Sequence, residues 1–170
     1  MVINQHRLLR NYRPIKDMLD RKVKEHGVSY GLSEAGYDIR IKQSIQFSPG
    51  DPFNPARVAV MLPGHEPDFE TGRFALASTI EEFDMPTGLV GVVHDKSTWA
   101  RRGLSVFNTV IEPGWKGFLT LELVYHGNGE LVIPAGAGIA QVLFHELANP
   151  ACYVGKYQNQ EDQPVAARES

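Results

Sequence analysis

The stretch EPGWKGFLTLELVYHGNG, Glu112 to Gly129, reads as a turn, a strand and a second turn. Pro113 suits the second position of a β-turn and Gly114 the third. From Phe118 to Tyr125 a two-residue period places Leu119, Leu121, Leu123 and Tyr125 on one face. Phe118, Thr120, Glu122 and Val124 fall on the other, so Glu122 points away from the leucines. Its flanking apolar residues set it against a second buried surface rather than plain water. A carboxylate there is a candidate acid or base with a shifted pKa. The competing reading is an exposed or salt-bridged strand glutamate. His126 to Gly129 reads as a hairpin turn, and Pro134 to Gly138 as another.

Working outward, the same period recurs. Tyr37, Ile39 and Ile41 alternate with Asp38 and Arg40; Val58 to Leu62, residues 74–77 and residues 89–93 read as further short strands. In GIAQVLFHEL, Ala140, Val142 and Phe144 alternate with Ile139, Gln141, Leu143 and His145. Residues 48–75 are otherwise loop-like. Ile15, Met18, Leu19 and Val23 lie at helical spacing between Pro14 and Gly27, which predicts one helix over about 14–26. Many short strands and one N-terminal helix make the fold all-β, not doubly wound. The expected organisation is a single domain over residues 1–170, without repeats or linker. The polar tail from about 150 to 170 reads as disordered, or as an arm that orders over a ligand.

Just upstream, DKSTWARRG gathers Lys96, Ser97, Thr98, Arg101 and Arg102. Ammonium, guanidinium and hydroxyl groups are the donors that phosphate oxygens need. A phosphorylated ligand beside a catalytic acid is the reading that joins this cluster to Glu122. Asp38 and Arg40 share a strand face, where a structural ion pair or interface contact competes with ligand contact. Gln141 sits among apolar neighbours and needs partners for its amide, from backbone or from a base edge. Trp99 and Trp115 are read as packing or turn-closing residues before base-stacking ones. His94 reads as a strand-end histidine.

Composition narrows the classes. A net charge of -3 argues against general nucleic-acid or membrane binding. No apolar run has signal-peptide or membrane-spanning length, which points to a cytoplasmic protein. The one cysteine, Cys152, forms no internal disulfide and fits a reducing compartment. It also excludes the zinc deaminase signature HxE…PCxxC, since His65-Glu66 and His145-Glu146 are adjacent pairs and no CxxC exists. Hydrolysis on a nucleobase would proceed without zinc.

With these residues in view, the chain resembles the dCTP deaminase family of the dUTPase-like superfamily over nearly its whole length. The resemblance rests on AGYDIR (35–40), LASTIEEFDMPTGLVG, DKSTWARRGL, NTVIEPGWKGFLTLEL, GIAQVLF and KYQNQ, in that order. It implies a distorted β-barrel or jelly-roll of the β-clip type, a homotrimer with active sites between subunits, and dCTP bound as its magnesium complex. Glu122 takes the place of the catalytic glutamate that deprotonates the water attacking C4 of cytosine. Ser97 and Arg101 match residues that hold that water and the substrate. Lys96 and its neighbour Thr98 would contact phosphate, and Glu112 and Thr120 would lie near the nucleoside. Gln141, Tyr153, Lys156 and Gln160 match further nucleotide-contacting positions, the last three in the closing tail. No metal ligand falls on a protein side chain, magnesium being held through the triphosphate. The resemblance extends to dTTP as a feedback inhibitor.

Two sister readings stand beside deamination of dCTP to dUTP. One is dUTP pyrophosphatase activity, alone or combined with deamination to give dUMP, in which Glu112 would align a water against the α-phosphate. The other is a non-catalytic nucleotide-binding module. The chain departs from the family in a shorter loop between Arg101 and Trp115, which carries Asn108, in Asp95 where glycine is usual, and in Gln160-Glu161-Asp162 where QQG is expected.

Overall fold

A computed structural model describes residues 1–169. The first half carries β1 (Val2–Ile3), β2 (Lys22–Glu25), β3 (Val28–Leu32), β4 (Tyr37–Arg40), β5 (Ser44–Ser48), β6 (Arg57–Met61) and β7 (Phe69–Thr71). The second carries β8 (Phe74–Asp84), β9 (Leu89–Asp95), β10 (Leu104–Val106), β11 (Val110–Ile111), β12 (Lys116–Tyr125), β13 (Leu131–Ile133) and β14 (Gly138–Glu146). Among the described residues helix is confined to α1 (Gln5–Arg7), which widens into a π-type turn over Leu8–Tyr12, and to α2 (Ser97–Ala100).

The protein is therefore all-β with a short N-terminal helix, but the helix is not where apolar spacing put it. Residues 14–26 hold no helix: Ile15 bridges Phe83, the Pro14 carbonyl accepts from Asp84 N at 2.9 Å, and Lys16 N donates to the Glu82 carbonyl at 2.8 Å. Asp17 is left-handed at φ 50°, which interrupts any helix. Lys22–Glu25 then forms β2, paired with β3 through a turn at His26-Gly27. An isolated short helix has a costly nucleus, whereas the end of β8 offers ladder hydrogen bonds at once. Ile15 and Met18 still reach the core, from a non-helical chain.

Among the described residues the strands form three sheets. A seven-stranded sheet runs β11-β9-β14-β4-β3-β2 with β1 also on β14; the others run β10-β12-β8 and β13-β5-β6-β7. Period-two alternation in each delivers Tyr37, Ile39, Phe47, Phe83, Leu121, Leu123 and Phe144 to a shared core, all at 1% exposure or less. HGNG is not a hairpin turn. β12 pairs with β10 and β8, while β13 pairs with β5, so residues 126–129 link two sheets. Residues 134–138 do turn, with Ala137 N donating to the Pro134 carbonyl at 3.2 Å, yet they also carry the chain between sheets. Loop chemistry marks both turns, and which strands then pair is decided by burial.

Candidate active site

β12 is the spine of the site. Its register to β8 holds from Val124↔Phe74 to Thr120↔Ser78, slips, and resumes at Phe118↔Glu82. Thr79, Ile80 and Glu81 there oppose Leu119 alone, a bulge in β8. The Thr79 hydroxyl covers the break, accepting from Leu119 N at 3.1 Å and donating to the Glu81 carbonyl at 2.8 Å. Strict alternation puts Leu119 with the leucine face; the bulge instead lets it line a cleft together with Thr120 and Glu122.

That cleft has a volume of about 610 Å³, within the range of small-molecule sites. β12 forms its floor, Phe74 and Leu76 of β8 one wall, residues 108–112 another, and the tail residues Tyr153, Tyr157 and Gln160 its roof. Glu122 is half-buried, and its carboxylate has no ion-pair or hydrogen-bond partner among the described residues. Burial pushes its pKa above the ordinary glutamate value. On the other edge of β12 the pairing with β10 ends at Val106↔Leu123, and Phe107 N donates to the Glu122 carbonyl at 2.8 Å. Asn108 follows, its side-chain amide spanning the Thr120 carbonyl and the Glu122 N–H. Glu112, exposed at the start of the Pro-Gly turn, reaches the same cleft.

The tail has defined structure on this floor. Trp115 Nε1 donates to the Tyr157 carbonyl at 2.6 Å, and Tyr153 N to the Pro113 carbonyl at 2.7 Å. Gln160 lies as a parallel bridge on Gly117, with Phe118 N donating to its carbonyl at 3.1 Å. Only glycine permits this approach, because a Cβ at 117 would stand 2.5 Å from the Gln160 backbone. The Gln160 side chain donates to the Thr120 hydroxyl, which also accepts from Val165 N at 3.0 Å. Gln160 is 7% exposed, so besides lining the roof it serves as a buried anchor for the tail. Lys156 does not line the cleft; its ammonium bonds the Arg168 carbonyl and sits 5.4 Å from the Tyr157 ring centroid.

The phosphate-binding candidates lie elsewhere. α2 precedes β10, which begins opposite Tyr125, and none of Lys96, Ser97, Thr98 or Arg101 lines the cleft. Ser97 and Arg101 are exposed. Lys96 is committed: Nζ donates to Asp38 Oδ2 at 2.6 Å and Ser29 Oγ at 3.2 Å, with side-chain exposures of 11% for Lys96 and 2% for Asp38. Gln141 belongs to this cluster, its amide nitrogen donating to Asp38 Oδ1 and Ser33 Oγ at 3.0 Å each. Asp38 and Arg40 are not paired with each other, since Arg40 Nε donates to Glu81 at 2.8 Å. Trp99 is buried and donates to the Gly138 carbonyl at 2.7 Å; His94 is exposed.

A cleft with an unpaired strand carboxylate beside a Pro-Gly turn is the geometry to compare with known proteins. A family model described as dCTP deaminase-like matches residues 11–147. The chain belongs to the dCTP deaminase-like family. The dCTP deaminase of Roseiflexus castenholzii is 37% identical over 166 residues, covering 90% of each chain. That of Campylobacter curvus is 40% identical over 147 residues, 79% of this chain and 78% of the relative. Among solved structures, the dUTPase of phage phi11 of S. aureus matches with a TM-score of 0.51 at 15% identity, over 86% of this chain and 95% of that one. The EIAV dUTPase matches at 0.50 and 17% identity, over 87% and 96%. These two likenesses establish a dUTPase-like fold and nothing further. The dCTP deaminase-like match ends at residue 147, so the tail that roofs the cleft lies outside it.

Sequence reading missed Asn108 as a site residue, and Leu119, Tyr157 and Val165 as lining. A hydrogen-bonding side chain two residues past a strand end is the one signal that could have singled out Asn108. The others depend on contacts distant in sequence.

Proposed function

We propose that the protein deaminates dCTP hydrolytically to dUTP and ammonia. The observation that carries this is Glu122, a half-buried carboxylate without a partner among the described residues, facing a nucleotide-sized cleft. Relatives at 33–40% identity bear the name dCTP deaminase. Glu122 takes a proton from water as the water oxygen bonds to C4 of cytosine and passes it to N3; it then takes the remaining proton of the new C4 hydroxyl and delivers it to the amino group. The C4–N4 bond breaks, ammonia leaves, and the water oxygen becomes the 4-keto oxygen. A raised pKa suits this role, because the base must also give its proton back. We assign magnesium to the triphosphate, whose charge it neutralises. The lining offers magnesium two carboxylates, Glu112 and Glu122, so phosphate and water oxygens would complete its shell. The proposed chemistry needs no zinc.

A homotrimer is part of the reading. Ser97, Thr98 and Arg101 are exposed or half-exposed and off their own cleft, so they serve a nucleotide only if another copy brings them to it. The test of the central residue is Glu122→Gln. It should keep the fold and nucleotide binding while ammonia release falls by roughly 10²- to 10⁴-fold; an active variant overturns the assignment. Glu112 in the same cleft favours one second reading, combined deamination and pyrophosphate release. Dependence of pyrophosphate release on Glu112 would establish it.

A further inference from the structure

We infer that Asn108 is the positioning residue for Glu122, its side-chain amide standing in for a missing strand partner on the open edge of β12. The inference rests on the deaminase reading above for what the positioning serves, but not for the geometry. β10 pairs with β12 only as far as Leu123, and one more backbone bond reaches the Glu122 carbonyl. Beyond it the chain turns away, which opens the cleft and would leave the Thr120 carbonyl and the Glu122 N–H without ladder partners. Asn108 supplies both: Nδ2 donates to the Thr120 carbonyl at 2.7 Å, and Oδ1 accepts from Glu122 N at 3.3 Å.

The two bonded peptide groups flank Leu121, whose side chain is fully buried on the opposite face. With Leu121 held from below and Asn108 clamping the edge, the Cα–Cβ direction of Glu122 is set toward the cleft. A backbone strand in place of Asn108 would make the same bonds but fill the space where a ligand enters. A side-chain surrogate holds the strand and leaves the opening. Thr120 is clamped by the same amide, and its hydroxyl anchors the tail, so one residue ties the candidate base to the roof above it.

The test compares wild type, Asn108→Ala and Asn108→Asp. Aspartate fills the same volume but has no N–H to donate and turns an oxygen toward the Thr120 carbonyl. It should therefore behave like alanine and carries the test if the alanine variant does not fold. Both should lower kcat by roughly 10- to 100-fold with KM little changed. Turnover at the wild-type rate in a folded variant overturns the inference. The readout that a merely structural role would not move is the Glu122 carboxyl titration, followed by carbon NMR. The other titratable groups lining the cleft are Glu112, Tyr153 and Tyr157. In Asn108→Ala water should reach the carboxylate and bring its pKa down toward the ordinary value; an unchanged pKa overturns the inference. If wild type releases no ammonia from dCTP, the deaminase reading has failed, and this titration alone decides the role of Asn108.

Discussion

Thr120→Val removes one hydroxyl at the junction of floor and roof. Valine has nearly the same shape, so the packing of this residue, 8% exposed, should survive. Two donors lose their acceptor: the buried amide of Gln160 and the Val165 N–H. An unmade bond at a buried donor costs about 1–3 kcal/mol, and the second bond about 0.5–1.5 kcal/mol. Together the loss is roughly 1.5–4.5 kcal/mol, or roughly 10- to 2,000-fold in the ratio of docked to undocked tail. Hydrogen exchange by mass spectrometry reads this directly, comparing a peptide from the tail with one from β14 as internal reference. The tail peptide should lose protection by that factor while β14 keeps its own. Unchanged tail protection would refute the reasoning and assign the docking to Trp115 and the Gly117 bridge.

Activity should fail on the acid side at a higher pH than an ordinary glutamate would produce, because burial raises the Glu122 pKa and the base must be ionised. A pH profile of kcat/KM checks this; an acid limb near pH 4.3, the ordinary value, would contradict it. The same shift has a stability sign. A carboxyl whose folded pKa is raised favours the folded state when protonated, so ionisation of Glu122 at neutral pH works against folding. Glu122→Gln should therefore melt at or above the wild-type temperature at pH 7, with the gain disappearing below about pH 4.3. Lys96→Met should lower the melting temperature sharply, by about 3–5 kcal/mol of stability, since it leaves Asp38 buried and unpaired. A variant with unchanged melting and a raised KM would return Lys96 to phosphate binding.

The face on which Glu122 lies was readable because strand alternation is local and the Pro113-Gly114 turn announces the strand. The bulge that swings Leu119 into the cleft was not readable, because it is set by Thr79 on β8. The spacing of Ile15, Met18, Leu19 and Val23 fits a helix, but the chain there pairs with the far end of β8, a partner that periodicity cannot reveal. Lys96 looked free for phosphate until folding brought Asp38 against it. The tail has no core-forming period, and its order comes from Trp115, Gly117 and Thr120, all distant in sequence. Local pattern thus found Glu122 and its strand. Long-range contacts decide what surrounds them.

The most direct measurement is product analysis after incubating the purified protein with dCTP and magnesium, quantifying ammonia, dUTP, dUMP and pyrophosphate. The account predicts ammonia in step with loss of dCTP, with dUTP as its partner product. Survival of dCTP in a protein that cleaves dUTP would contradict it, and with it the role given to Glu122.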